Sequence, residues 1–360
     1  MSYATTSHGP AFQYKSNMND RPNFVQETIL MRRVVRTLSL LFFNLIAAVR
    51  LLMSIDYWDA VILDIESVPA ALPIILIRQL RIRTPALVLR ITTNPVELEG
   101  KPPGFWRYVL YAIGIKLAAE YFDRLLFISP MLGRLYSHEL GVPKSKIGVW
   151  PANVDLDIFD PSIDMNTQSL RNEIGLLDRP GFLYHGVISR GRGTKELVDA
   201  FRLLKEDGLR VALVLLGYGS QREEISRYVR DNHLEDVVKI HEPVAYSEVP
   251  SFISACDAGI VPLPDHVWWR YQCPIKVLEY LAMNRPVIVS DIPAHRWIIG
   301  KSNVAIYLAG TGSREIADGI REYLMSKNRL DPSLGRGIAA NFSATATSRM
   351  LEHEICVLKR

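Results

Sequence analysis

Short apolar runs alternate with longer stretches of helical spacing along most of the chain. In the first half, the runs Ala60–Ile65, Ala86–Ile91, Leu125–Ser129 and Ile147–Trp150 read as strands. Helical patterns such as Phe105–Tyr121 and Met131–Leu140 fill the gaps between them. The second half predicts strands at Phe182–His185, Val211–Leu216, Val237–His241, Ala258–Pro262, Val287–Ser290 and Val304–Leu308. Between those runs lie helical patterns over Thr194–Glu206, Gln221–Asn232, Ser247–Ala255, Pro274–Met283 and Ser313–Met325. Strands that alternate with helices of about 10–15 residues predict βαβ units and parallel sheets. The turn-rich stretch Asn153–Pro180, with Asp155, Asp157, Asp160, Pro161 and Asn166, has linker composition. Two doubly wound domains joined by a linker would face each other across a cleft.

One apolar segment departs from this alternation. Residues 38–53 are apolar except for Asn44 and Arg50, and Arg32, Arg33 and Arg36 stand just before them. The uninterrupted part is shorter than the roughly 20 residues a membrane span needs. Two readings stand: a buried helix of an α/β domain, or a helix lying on an anionic membrane surface with its arginines at the headgroups. Residues 1–22 are polar and mixed, with no apolar core of a signal peptide.

Length and composition narrow the classes. The 360 residues, 48% of them hydrophobic, suit about two domains and exclude a disordered chain. A net charge of +4 is too mild to indicate nucleic acid. Cys256, Cys273 and Cys356 form no pair or Cys/His cluster with zinc spacing, so a disulfide scaffold is not expected and a reducing cytoplasm is.

Three segments carry candidate chemistry. The loop His185-Gly186-Val187-Ile188-Ser189-Arg190-Gly191-Arg192-Gly193-Thr194-Lys195 follows a strand and opens a helix. Its glycines admit close backbone approach, and Arg190, Arg192 and Lys195 suit a phosphate. The bland alternative is an ordinary loop with solvated arginines. Gly217-Tyr218-Gly219-Ser220 also joins strand to helix, and on its own reads equally as a tight turn with Ser220 as cap. The third segment, Cys273-Pro274-Ile275-Lys276-Val277-Leu278-Glu279-Tyr280, opens a helix with a proline, so that the following amides can meet an anion. Lys276 and Glu279 share a helical face, where a surface ion pair is the plain reading and a nucleotide site the sharper one.

In these residues the chain resembles the GT-B glycosyltransferases of family 4, also called group 1. The resemblance runs from about Asp59 to the C-terminus. It rests on Pro151-Ala152-Asn153-Val154-Asp155, Tyr184-His185-Gly186 with Arg192-Gly193, and Leu216-Gly217-Tyr218-Gly219. It continues through Val249-Pro250-Ser251-Phe252, Cys256-Asp257-Ala258-Gly259-Ile260-Val261-Pro262-Leu263 and Pro274-Ile275-Lys276 with Glu279-Tyr280-Leu281-Ala282. The fold it implies is α/β, with two Rossmann-like domains facing a cleft. Residues 1–160 would form the acceptor-side domain and 161–340 the nucleotide-sugar domain. Residues 341–360, with a final helix Ala344–Leu358, would cross back to the first.

The resemblance implies retaining, metal-independent transfer of a sugar from a UDP- or GDP-sugar to a glycan or lipid-linked acceptor. Arg192, Lys276 and Glu279 would do the central work: Arg192 on the diphosphate, Glu279 on the ribose. His185, Gly186, Arg190, Gly193, Gly217 and Tyr218 would line the donor, with Glu242, Pro243 and Val244 beside the base. Tyr271, Cys273, Pro274, Ile275 and Val277 would complete that site around the sugar and the distal phosphate. On the acceptor side, Asn94 and Glu97 are candidates, and each reads equally well as a turn residue. Asp64-Ile65-Glu66 looks like an acidic metal motif but reads as a strand end.

Three features depart from the family pattern. Tyr271 stands where the first of two glutamates is usual, and Val187 where a basic residue is usual. Too few residues precede the helix at 25–53 for two further βα units. The first domain is therefore expected to lack its N-terminal strands, through truncation, a wrong start or completion by a partner chain. These features motivate a second hypothesis, a non-catalytic GT-B subunit that binds nucleotide-sugar. A sugar-nucleotide epimerase is a third and weaker one. A cytoplasmic protein, peripheral at the inner face of the membrane, fits the enzyme reading.

Overall fold

A computed structural model of the chain describes residues 39, 42–93, 105–163, 167–176 and 178–358. Arg32, Arg33, Arg36, Asn94, Glu97 and Asn166 lie outside the described residues. Ten strands form two parallel sheets. The first sheet contains β1 (Ala60–Asp64), β2 (Ala86–Ile91), β3 (Arg124–Phe127) and β4 (Ile147–Val149), in the order β1-β2-β3-β4. The second contains β5 (Gly181–His185), β6 (Ala212–Leu216), β7 (Val238–His241), β8 (Ala258–Val261), β9 (Val287–Ser290) and β10 (Ala305–Leu308). Its order is β10-β9-β8-β5-β6-β7, the doubly wound arrangement.

The second sheet is buried on both faces, so its strands are continuous apolar runs. Every residue of β5 and β6 is buried. Alternate side chains feed opposite layers. Leu183 and Val214 join the core on one face, and Phe182, Tyr184, Leu213 and Leu215 join the core on the other. Helix Thr194–Glu206 covers the latter face with Leu197, Val198, Phe201 and Leu204.

The first sheet is covered differently. Leu87, Leu89, Leu125 and Phe127 pack with Ile74, Ile115 and Leu132 from the crossover helices. On the opposite face, Val88 and Leu126 meet Leu351 of the last helix, Ala344–Val357. That helix therefore returns from the second domain to cover the first, and Arg124 on β3 bonds Glu354 on it.

Two expectations change. The stretch Asn153–Pro180 is not a free linker. It holds the buried Phe159, Ile174 and Leu176 and a helix, Thr167–Glu173. Its aspartates serve local turns: Asp155 Oδ1 accepts from Asp157 N at 2.9 Å, and Asp160 Oδ1 from Ser162 N at 3.0 Å. The helix over 42–53 is not buried either. Phe42, Leu45 and Met53 are exposed, and it is the polar Asn44 that turns inward, donating to the Glu66 carbonyl at 3.2 Å. An apolar helix with one buried asparagine satisfies a backbone carbonyl and leaves its greasy face outside. Leu72, Leu76, Leu80 and Ile82 are exposed in the same domain.

Candidate active site

The strand order of the second sheet reverses between β5 and β8. From β5 the chain moves to β6 on one side, and from β8 to β9 on the other. The two departing loops separate there and leave a crevice at the strand C-termini. Gly193, at φ 73°, lets them meet: a Cβ on it would stand 2.2 Å from the Pro262 carbonyl oxygen. Gly217 plays the same part between β5 and β6. Its φ is 151°, and a Cβ would fall 1.9 Å from the Gly186 oxygen. Backbone bonds zip this second contact, with Gly186 N donating to Leu216 O at 2.9 Å and Ile188 N to Tyr218 O at 2.7 Å.

Two cations meet in the crevice. Lys276 enters from the first turn of helix Ile275–Ala282, and Arg192 from the loop after β5. The Nζ of Lys276 lies 4.0 Å from the centroid of the Tyr184 ring, and the Arg192 guanidinium 4.8 Å from that of Trp269. Trp269 is fixed by its Nε1, which donates to Gly191 O at 2.8 Å. Lys276 Nζ and Arg192 Nε are both buried with no hydrogen-bond acceptor. Burial, reinforced by the nearby Arg192 charge, lowers the Lys276 pKa to about 7. Val277 N is engaged by Pro274 O, and the amides just ahead of it are the orphan donors of a helix start.

Glu279 lies one turn further along the same helix and is 4% exposed. Tyr246 Oη donates to its Oε1 at 2.8 Å. His185 Nε2 lies 3.2 Å from its Oε2 but is not aligned for a hydrogen bond. Burial and the charge of Lys276 lower the His185 pKa to about 3, so the ring is neutral and the contact is not an ion pair. Burial raises the Glu279 pKa to about 7, against the Tyr246 hydrogen bond and the Lys276 charge. Lys276 and Glu279 thus both lie inside, where each feels the other's charge without a direct bond, and they are not a solvated surface pair.

The remaining candidates divide. Gly186 sits beside the lysine, where a Cβ would come 3.5 Å from Nζ. Pro274 caps the helix, Ile275 is its exposed first residue, and Val277 is core. Arg190 points outward to Glu224 at 2.9 Å, and Tyr218 is exposed. Glu242 meets Arg222 at 2.7 Å, Pro243 is exposed, and Val244 packs against the core. Tyr271 packs on the first domain's core, and its carbonyl accepts from Ser129 Oγ at 2.6 Å. Cys273 is buried with Sγ 3.9 Å from Ala152 O, and burial raises its pKa to about 12. Asp64 is held by Arg90 through two bonds, at 2.8 and 3.0 Å. No group of three metal-ligating side chains occurs among the described residues.

Tyr184, Tyr246 and Trp269 were missed as site residues in the sequence. Tyr184 lies within the quoted Tyr184-His185-Gly186, and its alternation with Leu183 could have placed it on a face. Tyr246 opens the helical turn Tyr246–Glu248 and Trp269 lies in the four-residue helix Val267–Arg270, both too short for a period to report their direction.

Residues 179–326 match the family described as Glycosyl transferases group 1. The match falls on the second sheet and its helices, and the chain has the two-domain GT-B arrangement. The chain is 27% identical over 183 residues to alpha-D-kanosaminyltransferase of Streptomyces kanamyceticus, covering 51% of this chain and 45% of that protein. It thus spans about half the length of the curated relatives it matches. A glycosyltransferase from Rickettsia africae superposes with a TM-score of 0.67 at 14% identity, covering 96% of this chain and 85% of that one. HepE of Anabaena, solved in complex with UDP, superposes with a TM-score of 0.67 at 15% identity, covering 86% and 82%. No helix among the described residues is long and apolar enough to cross a membrane.

Proposed function

We propose that this chain is a hexosyltransferase that moves a sugar from a nucleoside-diphosphate sugar, with UDP or GDP as carrier, to a glycan or lipid-linked acceptor. The observation that carries the reading is the pair Arg192 and Lys276. Two cations share a buried crevice, where Lys276 Nζ and Arg192 Nε have no acceptor. Burying charge without a partner is costly, so such a pair suits an anion that arrives with the substrate. A diphosphate supplies that charge and enough oxygens for both side chains and the helix-start amides.

In transfer, the bond between the anomeric carbon and the diphosphate oxygen breaks, and negative charge grows on the leaving diphosphate. Arg192, Lys276 and the start of helix Ile275–Ala282 meet that charge where it develops. Glu279, as a carboxylate, accepts from the ribose hydroxyls. Retention of configuration, independence from metal and a cytoplasmic location are parts of the same proposal, drawn from the family resemblance. A further part is peripheral attachment at an anionic membrane surface. The exposed Phe42, Leu45 and Met53, with the exposed Arg50 on the same helix, support it.

The test is a thermal-shift panel of UDP, GDP, ADP, dTDP and CMP on the wild type and on Arg192→Ala. A ligand at 100 times its dissociation constant stabilises by about 2.7 kcal/mol. One diphosphate should raise Tm in the wild type and fail to do so in the variant. No shift with any nucleotide would remove the donor site. Co-sedimentation with anionic vesicles at low salt tests the membrane part, and protein left in the supernatant would refute it.

A further inference from the structure

Tyr246 was not among the residues the sequence singled out. It stands on the short turn Tyr246–Glu248, just after the segment expected beside the base. Its ring is half-exposed, and its hydroxyl bonds the buried Glu279. The ring is held edge-on by Phe159, with centroids 5.2 Å apart. Phe159 is fixed in turn by Arg336, whose Nη1 donates to Phe159 O at 2.6 Å and to Ala282 O at 3.2 Å. Ala282 ends the helix that carries Glu279. The contacts therefore close a ring: Glu279, Tyr246, Phe159, Arg336, and back to the Glu279 helix.

We propose that Tyr246 is a positioning residue for Glu279, aiming its carboxylate so that the site prefers ribose to 2′-deoxyribose. The inference rests on the reading of Glu279 as the ribose-binding residue. A carboxylate has about four acceptor positions, and a vicinal diol needs two of them in a defined direction. Its last torsion is broad and soft, so burial alone does not set the plane of the group. His185 touches Oε2 without alignment, which leaves the Tyr246 hydroxyl as the aligned donor that fixes this plane. The hydroxyl uses one position on Oε1 and leaves the others for the sugar.

The experiment is titration calorimetry of UDP against 2′-deoxy-UDP, and of GDP against 2′-deoxy-GDP. The proteins are the wild type, Tyr246→Phe and Glu279→Ala. A hydrogen bond to a charged group corresponds to roughly 10–100-fold, so the wild type should favour the ribonucleotide by at least about tenfold. Phenylalanine keeps the ring on Phe159 and removes only the hydroxyl. It should reduce the preference to within about threefold and leave the Kd of the deoxynucleotide within about twofold. A wild-type preference in Tyr246→Phe, with only Tm lowered, would show that the hydroxyl merely satisfies a buried carboxylate and would overturn the proposal. If Tyr246→Phe loses the preference but Glu279→Ala keeps it, the ribose role of Glu279 fails, and the proposal with it. If the wild type binds neither diphosphate, the donor-site reading itself is lost.

Discussion

The two sheets of this chain are both parallel, and among the described residues they differ in what their strand order leaves open. The first runs β1-β2-β3-β4, each strand next to its successor, so no pair of its loops diverges among the described residues. The second reverses its order between β5 and β8. The reversal opens the crevice that Arg192, Lys276, His185 and Glu279 share. The charged groups that bear on this comparison in the first sheet are paired: Asp64 with Arg90, Asp123 with Arg78, and Arg124 with Glu354. In the crevice, Lys276 Nζ, Arg192 Nε and His185 Nε2 are buried without a hydrogen-bond partner, and only Glu279 has one, from Tyr246. The difference separates packing from chemistry: paired charges join elements together, whereas uncompensated charges wait for a ligand.

The largest expected effect comes from glycines that look alike in sequence. Gly217→Ala should cost more than about 4 kcal/mol, because its Cβ would collide with backbone at a conformation that side chains rarely adopt. Gly141→Ala, in the first domain at φ 69° with nothing within 4 Å, should cost only about 1 kcal/mol. Urea denaturation reads both, and equal midpoint shifts would break the comparison.

At the level of single charges, Lys276→Met should weaken UDP or GDP binding by roughly 30–100-fold, since a charge-assisted contact is lost. Arg90→Ala removes a comparable cation from the first sheet and should leave nucleotide affinity within about twofold. Calorimetry on the two variants decides it, and a similar loss in both would mean that the site extends across the domains.

Much of this contrast was legible before the fold was known. β2 and β9 coincide with the expected runs, and the other strands differ by a residue or two at their ends, because a doubly covered strand is an uninterrupted apolar run. Arg192, Lys276 and Glu279 were also legible, since a glycine-rich loop and a proline-opened helix are local signals. The pairing of strands across the reversal was not, because it depends on contacts distant in sequence. Helices Pro293–Ile299 and Leu334–Ala340 escaped because seven residues give too few turns for a period to show. Composition misled at Asn153–Pro180, where aspartates that cap their own turns hide the apolar anchors Phe159 and Leu176. The outward face of the helix over 42–53 was one of two open readings, and the bond from Asn44 to Glu66 O, with Leu51 packed on the first sheet's core, shows which face turns in.

A smaller effect concerns the strap between the regions. Glu354→Ala should destabilise the protein by about 1–3 kcal/mol, because Arg124 loses its carboxylate in a partly buried setting. Nucleotide affinity should stay near wild type, since the strap lies on the first sheet's far face. Chemical denaturation with a parallel UDP titration checks this. A large loss of affinity would show that the strap sets the donor site as well as the fold.

The finest contrast is between two lysines. Lys146 of the first domain donates to the carbonyls of Ala119 and Glu120 at 2.8 and 2.9 Å and is positioned by them. Lys276 is held near pKa 7 by burial and by Arg192, well below its unfolded value. Between about pH 7 and 10.5 the folded, empty protein therefore binds fewer protons at this site than the unfolded chain does. The cost of burying the ammonium is present in full below about pH 7 and fades as pH rises. Lys276→Met should accordingly raise Tm at neutral pH, with the gain shrinking toward pH 9. A diphosphate reverses the preference, because it favours the protonated lysine. Affinity should fall by about tenfold from roughly pH 7.5 to 8.5, with a proton taken up on binding. Glu279, raised to about 7, supplies the opposite limb, since below that pH it is protonated and loses its acceptor role toward the ribose. Calorimetry in two buffers of different ionisation enthalpy counts the protons. Lys276→Met should abolish the alkaline limb, and Lys146→Met should leave it intact. An alkaline limb that survives Lys276→Met would assign the titration to another group and remove the buried lysine from the diphosphate site.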